Sequence, residues 1–243
     1  MLGETPLACM ERFRVAFPAY GAEAMTYAGR LDPMASGLLL CLSGETCKEK
    51  ELYTNLPKTY VFEVLVGFHT DSYDLLGLVD EVGTTTLSDG GFRKALATCV
   101  GTFTQEYPPF SSKTVGGVPL HTLTRRGETD FDLPTRNVSI EKLELISSKQ
   151  SLGEALCKEI LHRTSLVVGD FRQKEIIERW RSVLQPHPEN EYTIFECSVT
   201  CSSGTYVRGL VHRLKELTGI PLCTFAICRT EVGSYALPTA VIL

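Results

Sequence analysis

From Thr193 to Cys201, Phe195, Cys197, Val199 and Cys201 alternate with more polar neighbours, the period of a half-buried strand. Directly afterwards Val207, Leu210, Val211, Leu214 and Leu217 recur at helical spacing until Gly219 supplies a stop. A chain that sets a period of two beside a helical period, without regular strand–helix–strand repetition, points to the α+β class. The expected fold is a central, mostly antiparallel β-sheet flanked by helices and loops.

The rest of the chain fits this frame. Gly37 to Leu42 is a short apolar run after a glycine and reads as one buried strand, while Thr59 to Gly67 alternates and reads as another, with Tyr60 at its start. Ser88 and Asp89 are suited to cap a helix running through Phe92, Leu96 and Val100, and Leu120 to Arg126 predicts a short helix stopped by Gly127. Val138 to Ile146 and Thr224 to Val232 read as strands. The stretch from Leu152 to Leu184 carries helical periodicity twice, broken near Gly169 and closed by the Pro186-His187-Pro188 turn. It predicts a two-helix insertion over residues 152–188 of a single domain spanning 1–243.

Composition excludes several classes. Hydrophobic residues make up 43% and charged residues 22% of 243 residues, which suits an ordinary globular core. No run approaches the roughly 18 uncharged apolar residues of a spanning helix, and no basic, apolar leader opens the chain, so a cytosolic location without membrane contact is expected. The nine cysteines are scattered without CxxC pairs or matching histidine spacing, so neither a metal nor another cofactor is expected. A net charge of −5 argues against a nucleic-acid partner. Against that, Lys113, Arg125 and Arg126 fall in an acid-free stretch, and Arg208, Arg213, Lys215 and Arg229 cluster late in the chain.

Chemistry must therefore rest on isolated polar residues in apolar settings. Tyr27-Ala28-Gly29-Arg30-Leu31-Asp32-Pro33-Met34-Ala35-Ser36-Gly37 places one acid on a tight loop entering a strand; on those residues alone Asp-Pro is an ordinary turn opener. Lys58-Thr59-Tyr60 opens a strand with an aromatic, which by itself reads as packing. Ser203-Gly204-Thr205-Tyr206-Val207-Arg208-Gly209-Leu210 puts a cation on the first turn of a helix, where the helix dipole disfavours it and a carboxylate partner would offset the conflict.

Taken in order, these strings resemble the TruB-type tRNA pseudouridine synthases. GRLDPMASG resembles their catalytic loop, GTYVRGL their arginine motif, Tyr107-Pro108-Pro109-Phe110-Ser111-Ser112-Lys113 their PPxFSAxK segment, and Ile227-Cys228-Arg229-Thr230 their late LRRT strand with Cys228 in place of the first arginine. The resemblance implies a pseudouridine synthase core that isomerises uridine to pseudouridine in a tRNA T-loop, at uridine 55, on a flipped-out base. It implies Asp32 as nucleophile or base, Arg208 as its partner and Tyr60 against the base. Arg30, Lys58, Lys113, Tyr206, Ile227 and Arg229 are the implied substrate contacts, Lys113 to phosphate. The partner is the tRNA T-arm, and the enzyme is expected to act as a monomer. Two other readings stand beside this one: a synthase acting on ribosomal RNA, and an RNA chaperone with little catalysis.

The chain departs from the pattern at three places. Tyr27 stands where the family often has a histidine and Arg30 replaces a threonine, which bears on base extrusion rather than on the chemistry. The apolar strand that usually opens the family is reduced to Met1 to Thr5. The chain also ends at Leu243 without room for a PUA domain, so RNA affinity is expected to rest on the catalytic domain alone.

Overall fold

A computed structural model describes residues 2–84, 86–128 and 132–243; Met1, of the expected shortened N-terminus, lies outside them. In chain order the first half runs α1 (Pro6–Ala16), β1 (Met25–Ala28), β2 (Ala35–Gly37), β3 (Leu40–Ser43), α2 (Lys50–Thr54), β4 (Lys58–Val66), β5 (Phe68–Thr70), β6 (Val79–Val82), α3 (Asp89–Thr98), β7 (Gly101–Glu106), β8 (Thr114–Val115), β9 (Val118–Pro119) and α4 (Leu120–Arg125). The second half runs β10 (Thr135–Leu152), α5 (Gly153–Ser165), α6 (Gln173–Leu184), β11 (Glu191–Cys201), α7 (Val207–Thr218), β12 (Leu222–Val232) and β13 (Tyr235–Ala236).

The central sheet has the order β13-β12-β4-β11-β10-β7 and is antiparallel throughout, with β2 added in parallel to β12. This is the α+β architecture expected. Alternation splits the strands between two cores. Phe62, Val64 and Val66 of β4 and Phe195, Cys197 and Val199 of β11 face α3 and α7, packing on Phe92, Leu96, Leu210 and Leu214. On the opposite face Leu65, Ile194, Cys223 and Phe225 meet Leu156 and Ile160 of α5 and Ile176 and Trp180 of α6.

That second layer corrects one expectation. Tyr192, Thr193, Ile194 and Phe195 are all buried, so β11 is half-buried only from Glu196 onward; its first residues are covered on both faces because α5 and α6 lie over them. Three further expectations change. Residues 37–42 do not form one buried strand: Gly37 takes φ 103°, and Leu38 N–H donates to Arg229 O at 2.8 Å, so the run divides into β2 and β3, which pair with β12 and β1 respectively. β10 extends beyond Val138–Ile146 in both directions, and its last residues are too polar to alternate. α3 stops at Thr98, short of Val100, which is exposed. The sequence reading also passes over α1, although Thr5 caps it, accepting from Ala8 N–H at 3.1 Å, and Pro6 stands at its start.

Among the described residues no helix is long and apolar enough to cross a membrane.

Trp180, the chain's only tryptophan, is fully buried, sits edge-on to Phe68 with ring centroids 5.3 Å apart, and donates its indole N–H to Leu75 O at 3.1 Å. Replacing it with Ala should cost about 3–5 kcal/mol through the cavity left behind and the orphaned carbonyl. Urea unfolding followed by circular dichroism checks this; a loss below about 1 kcal/mol, the scale of surface changes, would show that α6 contributes little to the fold.

Candidate active site

Asp32 lies in the loop joining β1 to β2, and the loop is fastened from below. Ala35 N–H donates to Asp32 O at 2.9 Å, closing a tight turn around Pro33. Buried Arg229, on β12, donates Nε to Leu38 O at 2.8 Å and Nη2 to Gly29 O at 3.1 Å, gripping the loop at both ends. Gly37 cannot be replaced there, because a Cβ would stand 2.3 Å from Arg229 O.

The carboxylate of Asp32 meets Arg208 from the first turn of α7. Arg208 Nε donates to Oδ2 at 2.8 Å and Nη2 to Oδ1 at 3.0 Å, the parallel fork of a bidentate pair. The two partners differ in exposure: the Arg208 side chain is 3% accessible and that of Asp32 28%. The cation is enclosed while the anion keeps a face open. Two further donors of Arg208 are also placed, Nη1 on Ser72 O at 2.9 Å and Nη2 on Phe110 O at 3.3 Å.

A second acid stands behind this pair. Asp74 Oδ2 is 3.6 Å from Arg208 Nε, and Asp74 Oδ1 accepts from Ser72 Oγ at 2.6 Å and from Leu76 N–H at 3.0 Å. Burial raises the Asp74 pKa above the ordinary carboxylate range, with Arg208 and the two hydrogen bonds opposing it. Burial works against the Arg208 cation too, but Asp32 and Asp74 outweigh it and hold the guanidinium above its ordinary pKa. The helix-dipole conflict read from the sequence is thus met by two carboxylates.

Above the pair opens a cleft of about 850 Å³, lined by Asp32, Tyr60, Tyr206, Arg208, Ile227 and Arg30 among others. Such a volume is ordinary for a site that encloses most of a small ligand. Tyr60, third residue of β4, lies opposite Arg229 of β12, and burial pushes its hydroxyl up to about 12, against the pull of the Arg229 cation. Buried Ile227 supplies an apolar wall, and Tyr206 lies edge-on to Tyr107 at 5.5 Å. The Ser111 and Thr54 hydroxyls also line the cleft, buried and without a protein partner among the described residues.

The residues singled out from the sequence stand differently toward the cleft. Lys58 is 5% exposed, and its ammonium donates to Thr54 O at 2.5 Å and Leu56 O at 2.6 Å; burial, and secondarily the Arg229 cation, lower its pKa to about 8. Lys58 and Arg229 both line the cleft, and the donors named here go to backbone carbonyls, so each braces the loops around it. Exposed Arg30 lines the cleft and donates to Tyr27 Oη at 3.2 Å, whereas Lys113 is outside it, exposed, with its ammonium 5.3 Å from the Tyr107 ring centre. The late basic cluster is not a surface either, since Arg208 and Arg229 are buried and Lys215 pairs with Glu81 at 2.8 Å.

Sequence reasoning missed Asp74, Arg136 and Arg172, all of which line the cleft. Asp74 left a trace in the polar stretch Thr70 to Asp74 between apolar runs, while Arg172 left none, because its partner Asp71 is 101 residues away.

Residues 18–164 match the model of the TruB family pseudouridylate synthase N-terminal domain. Among curated proteins, the chain is 30% identical over 219 residues to tRNA pseudouridine synthase B of Lactobacillus delbrueckii subsp. bulgaricus, covering 89% of this chain and 61% of that protein. It is 28% identical over 226 residues to tRNA pseudouridine synthase B of Deinococcus deserti, covering 93% and 70%. The chain thus spans somewhat over half the length of such relatives. Among solved structures, a Cbf5-Nop10-Gar1 complex superposes with a TM-score of 0.57 at 13% identity, covering 97% of this chain and 47% of that one. An H/ACA RNP bound to a substrate RNA containing 2′-deoxyuridine superposes with a TM-score of 0.54 at 12% identity, covering 97% and 46%. These two likenesses concern the fold.

Proposed function

Because this chain belongs to the TruB family of pseudouridylate synthases, we propose that it isomerises uridine to pseudouridine in the T-loop of a tRNA, with Asp32 as the reacting carboxylate. The observation that carries this reading is the Asp32–Arg208 pair at the floor of the cleft, with the cation enclosed and the carboxylate open. Isomerisation must break the bond from N1 to the sugar, turn the freed uracil, join C5 to the sugar and release the proton from C5. A carboxylate aimed by a fixed guanidinium is suited to act as nucleophile or base in that sequence.

A stacked base cannot reach such a cleft. The target nucleotide must be extruded, at a cost of a few kcal/mol that is smallest in an already strained loop. The Tyr60 ring and the Ile227 wall offer the extruded uracil a flat and an apolar surface. The roles of Arg30, Tyr206 and Lys113 as RNA contacts belong to the same reading, Lys113 as a phosphate contact outside the cleft. Action as a monomer in the cytosol belongs to the same reading.

Tyr60 carries a proton at neutral pH, since its hydroxyl titrates near 12. It serves as a relay that accepts and donates, not as a ready-made phenolate base. Tyr60→Phe keeps the ring and should slow turnover by about 100-fold, the lower range for loss of a positioned proton-transfer group, while leaving tRNA affinity within about threefold. Single-turnover kinetics separate the two, and a Phe variant at full rate would remove the hydroxyl from the reaction.

The direct test of substrate and position is carbodiimide labelling of an unmodified tRNA transcript after incubation with the protein, read by primer extension. A single new stop at the T-loop uridine is the expected outcome. A stop elsewhere would reject the T-loop assignment, and no stop on a tRNA that still binds would reject the synthase reading in favour of a chaperone.

A further inference from the structure

The helical pair α5–α6 is the part of the fold that the proposed reaction does not use, yet its connecting loop reaches the active site. Arg172, in that loop, takes φ 62°, a left-handed conformation that costs a non-glycine residue energy and persists only where its surroundings hold it. What holds it is a double contact. Its guanidinium makes a bidentate pair with Asp71, Nη1 to Oδ2 at 2.8 Å and Nη2 to Oδ1 at 3.2 Å, and lies over the Phe110 ring at 4.3 Å.

Both targets matter to Arg208. Ser72, next to Asp71, supplies the carbonyl that accepts Arg208 Nη1, and Phe110 itself supplies the carbonyl that accepts Nη2. The two backbone acceptors that aim the back edge of the guanidinium therefore come from segments that Arg172 clasps together. The rest of α6 grips the same turn at regular intervals: Trp180 donates to Leu75 O at 3.1 Å and Arg179 Nε to Val79 O at 2.8 Å. Contacts at Asp71, Leu75 and Val79 bracket Asp74, the buried acid behind Arg208.

We infer that the α5–α6 pair is a splint for the active site and that Arg172 is a positioning residue, which acts through Ser72 and Phe110 to fix the angle at which Arg208 holds Asp32. The inference rests on the roles given to Asp32 and Arg208 above. It assigns the pair a part in catalysis through the protein, with no contact to RNA required of Arg172. Misaiming a catalytic group by about an ångström costs on the order of 100-fold, so the effect should fall on turnover.

The test uses the full chain carrying Arg172→Ala, Arg172→Lys or Asp71→Asn, with Lys174→Ala on the solvent side of α6 as the control. Arg172→Ala should lower single-turnover kcat by about 10- to 100-fold with the KM for tRNA within about threefold. Arg172→Lys should recover part of the loss, Asp71→Asn should resemble Arg172→Ala, and Lys174→Ala should match wild type. Arg172→Ala combined with Arg208→Lys should be no slower than Arg208→Lys alone.

A second readout needs no substrate. In protein labelled with ¹⁵N-arginine, the Arg208 Nε–H, identified by its absence in Arg208→Lys, should exchange slowly with solvent in the wild type and at least tenfold faster, as an order-of-magnitude expectation, in Arg172→Ala. Unchanged exchange would overturn the inference whatever the enzyme's substrate proves to be. Unchanged kcat in an active enzyme, or a loss confined to KM, would overturn it as well. Faster exchange in a protein that modifies no tRNA would instead support the splint and reject the proposed reaction.

Discussion

Asp32→Asn is expected to lower turnover by at least about 10⁴-fold, the scale on which enzymes lose a nucleophile or its base. Asn has the shape of Asp but neither its charge nor two acceptor oxygens. Arg208 donates to both oxygens of Asp32, so one of the two donors would face an amide N–H instead. Loss of the reacting group and loss of its aim coincide in a single substitution. The fold should survive, because Arg208 keeps Asp74 nearby and the carbonyls of Ser72 and Phe110 as acceptors. A destabilisation of about 1–3 kcal/mol follows from one compromised charged hydrogen bond. Binding of tRNA and a cooperative melt, measured beside the rate, distinguish a dead enzyme from an unfolded one.

Arg208→Lys is the second large effect and tests geometry rather than charge. The guanidinium directs donors to Asp32, Ser72 and Phe110 at once, and an ammonium, as a compact point charge with three rotatable donors, cannot reproduce that plane. Turnover should fall by about 100- to 1000-fold, comparable to removing a fixed electrostatic contact in other enzymes. Because the Arg208 side chain is only 3% accessible, the dissociation constant for tRNA should stay within about threefold, an arginine enclosed by protein adding little to backbone binding. Arg208→Ala is a different experiment. It leaves Asp74 buried without its cation and should cost about 3–5 kcal/mol of stability. Equilibrium unfolding of the two variants separates the cost of lost geometry from that of lost charge, and a Lys variant with unchanged turnover would remove Arg208 from the mechanism.

Much of the fold was legible because its signals are local. The alternation along β4, β11 and β12 and the stripe of α7 follow from side chains that face one core, and the glycines after α4 and α7 sit at positive φ where a stop was expected. What could not be read depends on partners distant in sequence. The burial of Tyr192 to Phe195 on both faces comes from α5 and α6, and the break at Gly37 comes from the backbone of Arg229. At the site, the motifs pointed to Asp32 and Arg208, which the fold brings together across 176 residues. They did not disclose Asp74 or Arg172, since a buried carboxylate and an exposed one have the same letter. Nor could they disclose that Lys58 and Arg229, which line the cleft, donate to backbone carbonyls; those that accept from Arg229 belong to a loop that only the fold brings near.

The central claim is that an open carboxylate on a fixed guanidinium rearranges uridine. It is tested most directly by tritium release from an unmodified tRNA transcribed with C5-tritiated uridine, run with the wild type beside Asp32→Asn. Release by the wild type that is absent from the variant, while both bind the tRNA, is the predicted result. Equal release by the two proteins, or none from a wild type that binds the tRNA, would contradict the account.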